Sequence, residues 1–480
     1  MLSETLPPDA AYAVLQSHDA RFDGRLYVGV TSTGIYCRPV CRVRLPRREN
    51  CRFFSTAAQA EAERFRPCMK CRPELAPRAL PWTTMDASRT LAQQAAAWLD
   101  ACDDAEASVE GLAAHLGITS RHLRRIFQTE HGVSPLQYLQ TRRLLLAKAL
   151  LTDSTLPVQE VAYAAGFASL RRFNAAFIEH YRLQPTALRR EGGSNTPVSR
   201  LRLTYRQPYD VAGVLAFLAP RAVAGVEKVE EGAVTRSLAV THAGQRHAGW
   251  LRVSFAKPGE VGVELSPALW PTVGSLLPLL RRWLDLDADP DAIATALGET
   301  GVPGQRLPGC LDRFELTVRA VLGQQVTVAA ARTLAGRFVE RFGEVLDEAP
   351  EGCGRLFPTP ERIAAATRDD IASLGIIGRR ADSLIALAQG WPRLAFARRE
   401  GSAEAAAEEL TTIPGIGPWT AGYMLMRGWS WPDAFPPGDV VLRKALSGSG
   451  SLLAPKAYLE AAERYRPFRS YAVLHLWRHS

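Results

Sequence analysis

Residues 410–445 combine a sharp bend, two aromatic side chains and one acid. The bend reads Pro-Gly-Ile-Gly-Pro at 414–418, and a helix that opens at Pro418 would leave backbone N–H groups free to bind a phosphate. Trp419 and Tyr423 lie one helical turn apart, so their rings share one face. Asp439 follows a second loop, and its carboxylate could stabilise a cationic sugar. The plain alternative is a tight turn between core helices, with Asp439 as a helix N-cap.

A second group of reactive residues lies near the N-terminus, where Cys37 and Cys41 form one close pair and Cys68 and Cys71 another. Four thiolates at this spacing match tetrahedral Zn²⁺. Many arginines surround them, and these cations lower thiol pKa values and can also hold DNA phosphates. A purely structural zinc knuckle is the alternative, and Cys51 is interpreted as a buried apolar residue.

Composition limits the classes of protein to which the chain could belong. Its 480 residues suggest three or four domains of about 150 residues each. The net charge of +9 and pI near 9.3 favour a polyanionic partner, and residues 1–80 hold 13 Lys+Arg against 8 Asp+Glu. No apolar run approaches the roughly 18 residues that a membrane span needs. We therefore expect a cytoplasmic, nucleoid-associated protein without a membrane partner.

Between residues 81 and 190, helical periodicity occurs twice in the same arrangement. A helix at 109–118 and another at 120–128 are followed by a long helix at 135–151, and the pattern recurs at 157–167 and 169–180. The second helix of each pair exposes polar residues that could read base edges. These candidate DNA-binding residues are Arg121, Arg124, Arg125, Arg171, Arg172 and Asn174. A helical bundle with solvated arginines is the alternative.

The region that follows is predicted to be rich in strands. Residues 191–197 have the composition of a linker, and alternating apolar residues predict strands at 200–205, 236–241 and 250–255. A helix is expected at 276–286. No group of residues here suggests catalysis.

The N-terminal half resembles two known families. Residues 33–41, 48–51 and 65–73 are similar to the Ada-type methyl-phosphotriester sensor domain across nearly its full length. That resemblance implies that Cys37 is both a zinc ligand and the acceptor of a methyl group from an alkylated DNA phosphate. The paired helices, with Gly166-Phe167-Ala168-Ser169 and Pro185, resemble the AraC-type DNA-binding domain. This family places the second helix of each unit in a major groove.

The C-terminal half resembles the AlkA-type 3-methyladenine DNA glycosylases of the helix-hairpin-helix superfamily. The similarity runs from about Leu203 to the end of the chain and includes the hairpin and Asp439. It implies that Gln325 is the wedge that displaces a base, with Gln324 also facing the minor groove. Other residues are implied to bind DNA at the hairpin, namely Gly415, Gly417 and Thr420.

The resemblance also implies how the chemistry proceeds. Trp419 and Tyr423 would form an aromatic pocket, in which a cationic alkylated purine gains a cation–π interaction. Asp439 would be the catalytic acid. Bifunctional lyases of the superfamily place a Schiff-base lysine where this chain has Trp419, so a monofunctional glycosylase is expected. Tyr471 and Trp477 are expected in the core.

These observations predict a multidomain, mainly α protein. Its expected parts are a small zinc α+β module at 1–80, an all-α double helix-turn-helix at 81–190, an α+β spacer at 198–290 and an all-α helix-hairpin-helix domain at 291–480. The expected function is a DNA repair glycosylase for alkylated bases, fused to a zinc-dependent methylation sensor and transcription regulator. Its partners would be double-stranded DNA with alkylated bases, methylated phosphates or promoter sites, and RNA polymerase. The alternative is a methylation-responsive regulator whose glycosylase domain only binds DNA.

Overall fold

A computed structural model provides the structure of the chain. It describes residues 6–77, 87–101, 108–192, 200–242, 244–298, 301–398, 403–447 and 451–479. Across these ranges helices predominate, and the strands form two separate sheets. None of the described helices has both the length and the apolar composition that a membrane span requires. The predicted fold class, mainly helical with small sheet-containing modules, is confirmed.

The N-terminal module is a small sheet with short helices. Its elements are α1 (Pro8–Gln16), β1 (Tyr27–Val30), β2 (Ile35–Cys37), β3 (Cys51–Phe54), α2 (Ala57–Ala62) and β4 (Arg66–Pro67). The sheet order is β3-β1-β2-β4, and β2 pairs parallel to β4. This pairing aligns Tyr36 with Pro67. It therefore places Cys37, at the end of β2, next to Cys68, which follows β4.

Seven helices follow, and the second to the sixth of them are the five that the sequence predicts, in the same order. They are α3 (Ala87–Ala101), α4 (Val109–His115), α5 (Ser120–His131), α6 (Pro135–Asp153), α7 (Val158–Ala164), α8 (Leu170–Tyr181) and α9 (Pro185–Gly192). Side chains of Ser108, Thr119 and Ser169 cap α4, α5 and α8, and Ser134 forms a capping box with Gln137 at α6. Polar residues thus set where α4, α5, α6 and α8 begin.

The spacer contains a five-stranded antiparallel sheet. Its elements are β5 (Arg200–Thr204), α10 (Val211–Leu218), β6 (Glu227–Glu230), β7 (Ala233–His242), β8 (Gln245–Lys257), β9 (Glu260–Leu265) and α11 (Val273–Trp283). The strand order is β5-β9-β8-β7-β6. The three predicted strands lie in β5, β7 and β8, whereas β6 and β9 were not predicted. The helix expected at 276–286 begins and ends three residues earlier.

The second helix-turn-helix unit packs directly on the spacer. Buried residues of α6 to α8 and of the sheet form one continuous apolar core. The contact is close at Gly274, where an added Cβ would lie 2.7 Å from the carbonyl oxygen of Ala164. Of the predicted linker at 191–197, residues 193–197 lie outside the described residues, and the first two residues end α9. The predicted domain boundaries stay predictions.

The C-terminal domain is helical. Its helices are α12 (Pro290–Leu297), α13 (Arg313–Leu322), α14 (Val328–Phe342), α15 (Pro360–Ala364), α16 (Arg368–Ala372), α17 (Gly378–Gly390), α18 (Ala395–Arg398), α19 (Ala403–Thr411), α20 (Pro418–Met424), α21 (Val440–Ala445), α22 (Pro455–Ala462) and α23 (Arg469–Arg478). One π-helical turn, Leu425–Trp429, continues α20. A large apolar core joins α13, α17, α20 and α23. It fixes the hairpin between α19 and α20 on a rigid support.

Candidate functional site

The bend between α19 and α20 depends on one left-handed glycine. Gly415 has φ of +84°, and a Cβ there would lie 2.2 Å from the Ser383 hydroxyl oxygen, so no larger residue fits. Ile416 is buried beneath the bend. Gly417 is the N-cap of α20 and is exposed, and no side chain caps this helix. The first turn of α20 therefore offers backbone N–H groups at the surface.

Three aromatic rings form a cluster beside the bend. Trp419 and Tyr423 stack with their ring centroids 5.6 Å apart and their planes within 5°. Trp477 lies 6.4 Å from the first ring and 6.3 Å from the second. All three rings are half-buried.

Trp477 packs against the core of the domain, as expected, and it also lies beside the aromatic cluster. The first half of α23 is buried, as expected for Tyr471, but the helix then runs past α21 and carries Trp477 to the aromatic cluster. No signal in the local sequence separates these two positions. Only the packing of α23 brings its last turn beside α20.

Asp439 lies at the edge of this cluster and is 7% exposed. Its Oδ1 accepts a hydrogen bond from the backbone N–H of Leu442 at 2.9 Å, which makes it the N-cap of α21. Its Oδ2 accepts from Nε1–H of Trp419 at 2.8 Å. The carboxylate thus both caps a helix and faces the aromatic cluster. The cap holds the acid in place, so the two interpretations of Asp439 are compatible.

A close approach between α20 and the loop before Asp439 sets this geometry. A Cβ at Gly422 would lie 3.0 Å from Cα of Pro436, so the small residue lets the loop reach the helix. The hydroxyl of Tyr458 donates to the Pro436 carbonyl at 2.7 Å. The loop that carries the acid is therefore held from both sides.

The two glutamines after α13 have different environments. Nε2 of Gln324 donates to the Gly415 carbonyl at 2.8 Å and to the Thr420 hydroxyl at 3.1 Å, so this side chain ties the loop to the hairpin. Gln325 is exposed, in the left-handed region with φ of +55°. Thr420 is buried, and its hydroxyl is engaged by Gln324. Of the two glutamines, Gln325 is the one that projects.

The four predicted zinc ligands meet at one point. Sγ atoms of Cys37, Cys41, Cys68 and Cys71 all lie within 4.8 Å of one another, and no disulfide joins them. Tetrahedral zinc with Zn–S bonds of about 2.3 Å separates its sulfurs by roughly 3.8 Å, so the cluster fits this ion. Four soft thiolates are also the donors that zinc prefers. Cys51 is buried and lies outside this cluster, as expected.

Charged groups connect the thiol cluster to the rest of the chain. The backbone N–H of Arg38 points at Sγ of Cys71 at 3.4 Å, and its Nε donates to Asp23 at 2.8 Å. The carbonyl of Asp23 accepts from Arg206 of the spacer at 3.2 Å. On the other side, Arg72 pairs with Asp153 of α6 at 2.7 Å. The module thus contacts the helical region through a buried ion pair and the spacer through a buried hydrogen bond.

The candidate DNA-reading residues of α5 and α8 lie mostly on the surface. Arg121, Arg125, Arg171 and Arg172 are exposed, whereas Asn174 is half-buried. Arg124 is exposed and pairs with Glu110 at 2.9 Å. Leu123, Phe127, Phe173 and Phe177 are buried on the opposite faces. Both helices are therefore amphipathic, with polar residues on the exposed face and apolar residues on the buried face.

Comparison with known proteins identifies four families along the chain. The metal binding domain of Ada matches residues 10–74, a helix-turn-helix domain matches 112–191, the AlkA N-terminal domain matches 200–312, and the HhH-GPD superfamily of base excision DNA repair proteins matches 318–467. The four matches follow the same order as the predicted modules.

Similar proteins extend this result. The chain is 37% identical over 485 residues to a probable bifunctional transcriptional activator/DNA repair enzyme AlkA of Mycobacterium tuberculosis, covering 98% of this chain and 96% of that protein. It is 40% identical over 281 residues to DNA-3-methyladenine glycosylase 2 of Escherichia coli, covering 57% of this chain and 95% of that one. A 3-methyladenine DNA-glycosylase structure from Archaeoglobus fulgidus shares the fold, with a TM-score of 0.51 and 23% identity over 58% of this chain and 97% of that one. The chain therefore belongs to the family of bifunctional transcriptional activator/DNA repair enzymes of the AlkA type.

Proposed function

We propose that the C-terminal half hydrolyses the N-glycosidic bond of alkylated bases in DNA, with 3-methyladenine as the type substrate. The observation that carries this proposal is the contact between the Asp439 carboxylate and the Trp419 ring. An acid in contact with a cluster of aromatic rings supports the binding of a cationic base and the breakage of its glycosidic bond. Capping of α21 uses only Oδ1 of Asp439, so Oδ2 remains directed at the aromatic cluster.

The aromatic rings and the acid are proposed to carry out different steps, base binding and stabilisation of the sugar. An alkylated purine is cationic, so stacking on Trp419, Tyr423 and Trp477 favours it over an ordinary base. The positive charge also makes the base a good leaving group, which removes the need for a strong general acid. As the bond breaks, the sugar becomes cationic, and Asp439 stabilises this charge and orients the attacking water. The products are the free base and an abasic site.

The DNA is held from the minor-groove side. The hairpin binds a phosphate through Gly415, Gly417 and the backbone of Thr420. Gln324 keeps the adjacent loop against the hairpin. Gln325 projects as the wedge that takes the place of the extruded base. No lysine occupies the first turn of α20, where Trp419 lies instead. We therefore assign a monofunctional glycosylase without lyase activity.

The N-terminal module is proposed to bind Zn²⁺ through its four thiolates and to repair methylated phosphates. In this reaction Sγ of Cys37 attacks the methyl carbon, an S–C bond forms, the C–O bond of the phosphotriester breaks, and the phosphodiester leaves as an anion. The choice of Cys37 follows the match to the metal binding domain of Ada, and an apolar hollow lined by Leu15, Val28 and Val43 reaches both Cys37 and Cys41. Zinc supplies deprotonated, nucleophilic sulfur at the site.

Methyl transfer also changes the charge of the module. Zinc with four thiolates carries −2, and methylation of one thiolate leaves −1. Weaker repulsion then strengthens binding to the DNA backbone. The helix-turn-helix units would read promoter DNA through the exposed arginines of α5 and α8 and recruit RNA polymerase. The protein would thus sense alkylation on nucleoid DNA, activate transcription and remove damaged bases.

Two measurements test these proposals. Release of free 3-methyladenine from methylated duplex DNA by the intact protein tests the enzyme, with an unmethylated duplex of the same sequence as the control. No release would favour the alternative, in which the C-terminal half only binds damaged DNA. Mass spectrometry after incubation with methylated DNA tests the sensor. A mass gain of one methyl group on the peptide that contains Cys37 is expected, and an unmodified Cys37 would contradict the transfer.

A further inference from the structure

The side chain of Arg427 is buried directly behind the aromatic cluster. Its Nε donates to the Pro308 carbonyl at 2.7 Å, its Nη2 to the Gly309 carbonyl at 2.7 Å, and its Nη1 to the hydroxyl oxygen of Tyr423 at 2.9 Å. The residue is only 7% exposed. Since a guanidinium only donates, the phenol oxygen of Tyr423 must be the acceptor.

The support beneath Arg427 is rigid. The N–H of Gly309 donates to the Trp283 carbonyl at 2.9 Å, and a Cβ on Gly309 would lie 2.8 Å from the Arg282 carbonyl oxygen. The ring of Phe217 lies against the guanidinium, with its centroid 4.8 Å from Cζ. The guanidinium is therefore fixed by groups outside α20, and Tyr423 must adapt to it.

The backbone around Arg427 is unusual as well. Leu425–Trp429 form a π-helical turn directly after α20, and such turns occur frequently at functional sites. Burial alone would raise the pKa of Tyr423, but the charges of Arg427 and Arg221 outweigh it and lower the pKa from its ordinary value. The phenol oxygen thus lies in a strongly positive environment.

We propose that Arg427 is a positioning residue of the base pocket, which holds the Tyr423 hydroxyl and thereby keeps that ring parallel to Trp419. This hydrogen bond between Arg427 and the Tyr423 hydroxyl, called the handle below, orients the ring. The hydroxyl makes no contact with the base. This inference rests on the proposed glycosylase function. Without the handle, the ring of Tyr423 would rotate about its Cβ–Cγ bond and lose its parallel alignment with Trp419. Since stacking and cation–π attraction depend on ring orientation, loss of the bond should slow base release about ten-fold.

A double-mutant cycle separates this role from general packing. Tyr423→Phe keeps the ring and removes the handle, Arg427→Met keeps an apolar stem and removes the donors, and Arg427→Lys restores one donor. Tyr465→Phe is the matched control, because it removes the hydrogen bond that Arg464 donates to another phenol in the same domain, at 2.6 Å. Each protein is assayed for single-turnover release of 3-methyladenine and for affinity to undamaged duplex DNA.

We expect the variants Tyr423→Phe and Arg427→Met to be about ten-fold slower each, and the double variant to be no slower than Arg427→Met. The lysine variant should recover part of the rate, while Tyr465→Phe and the affinity for undamaged DNA should stay unchanged. A wild-type rate in Tyr423→Phe, or losses that multiply in the double variant, would overturn the proposal. Tyr423→Phe leaves the bonds of Arg427 to Pro308 and Gly309 in place, so it tests the handle even if Arg427→Met does not fold.

Binding of free 3-methyladenine, followed by tryptophan fluorescence, provides a readout without turnover. If the wild-type protein released no base, the proposed function would fail, but this affinity would still test the handle. A several-fold weaker affinity in Tyr423→Phe than in Tyr465→Phe supports the role of Arg427. Equal affinities would refute it.

Discussion

Replacement of Asp439 by asparagine tests the assignment of the acid. Two N–H groups point at the carboxylate, from Leu442 and from Trp419, at 2.9 and 2.8 Å. An asparagine side chain has one oxygen and one NH₂ group, so it can accept from only one of these donors. If its oxygen caps α21, its NH₂ group faces the indole N–H of Trp419. We expect a stability loss of about 1–3 kcal/mol from the donor that is left without an acceptor.

The effect on catalysis should be larger than the effect on stability. Removal of one group that stabilises a transition-state charge lowers turnover by about 10²- to 10³-fold in other enzymes. The Asp439 side chain is almost closed to water, so water competes little with its interactions. We therefore expect base release from methylated duplex DNA to fall by at least about 10²-fold. Binding to undamaged DNA should not change.

A second variant separates the charge of the acid from its contact with the indole. Combining Asp439→Asn with Trp419→Phe removes the conflicting N–H and retains an aromatic ring. The double variant should recover the stability lost in Asp439→Asn, measured by urea unfolding, but should not recover the rate. Recovery of the rate would show that Asp439 acts only by holding Trp419. Undiminished release by Asp439→Asn would refute the assignment altogether.

Three further predictions concern the metal, the pH and the hairpin. Cys37→Ser should bind zinc more weakly and accept no methyl group, as measured by zinc release to a chelator and by mass spectrometry. Burial raises the pKa of Glu61 to about 8, above its ordinary value of 4.5, so its contribution to stability is full below pH 4.5 and is lost as the pH rises through 8. Urea unfolding at several pH values should show this decline, and Glu61→Gln should remove it. Gly415→Ala should destabilise the domain by at least about 1–2 kcal/mol because of its left-handed backbone, whereas Gly417→Ala, with open space around it, should not. Equal unfolding midpoints for these two glycine variants would contradict the proposed geometry of the bend.

Local sequence patterns predicted the five helices of the two helix-turn-helix units and their order. Capping residues such as Ser108 and Ser169 act on their own helices, so the starts of α4 and α8 followed from the residues beside them. Strands β6 and β9 were not predicted, although β9 alternates buried and half-buried residues. Strands in a sheet are stabilised by partners distant in the sequence, and short ones have weak signals of their own. The close packing of α6 and α7 on the spacer was likewise not visible in the sequence.

The four thiols, the hairpin glycines, the Trp419–Tyr423 pair and Asp439 were determined by the sequence alone. Their chemistry depends on residue type, and their spacing lies within one or two elements. Tertiary structure decided what surrounds them. Trp477 and Arg427 contact the Trp419–Tyr423 pair from different elements, and Arg427 is held by carbonyl groups more than 110 residues away in the chain. Contacts of this kind depend on how helices pack against one another, which no local pattern of residues specifies.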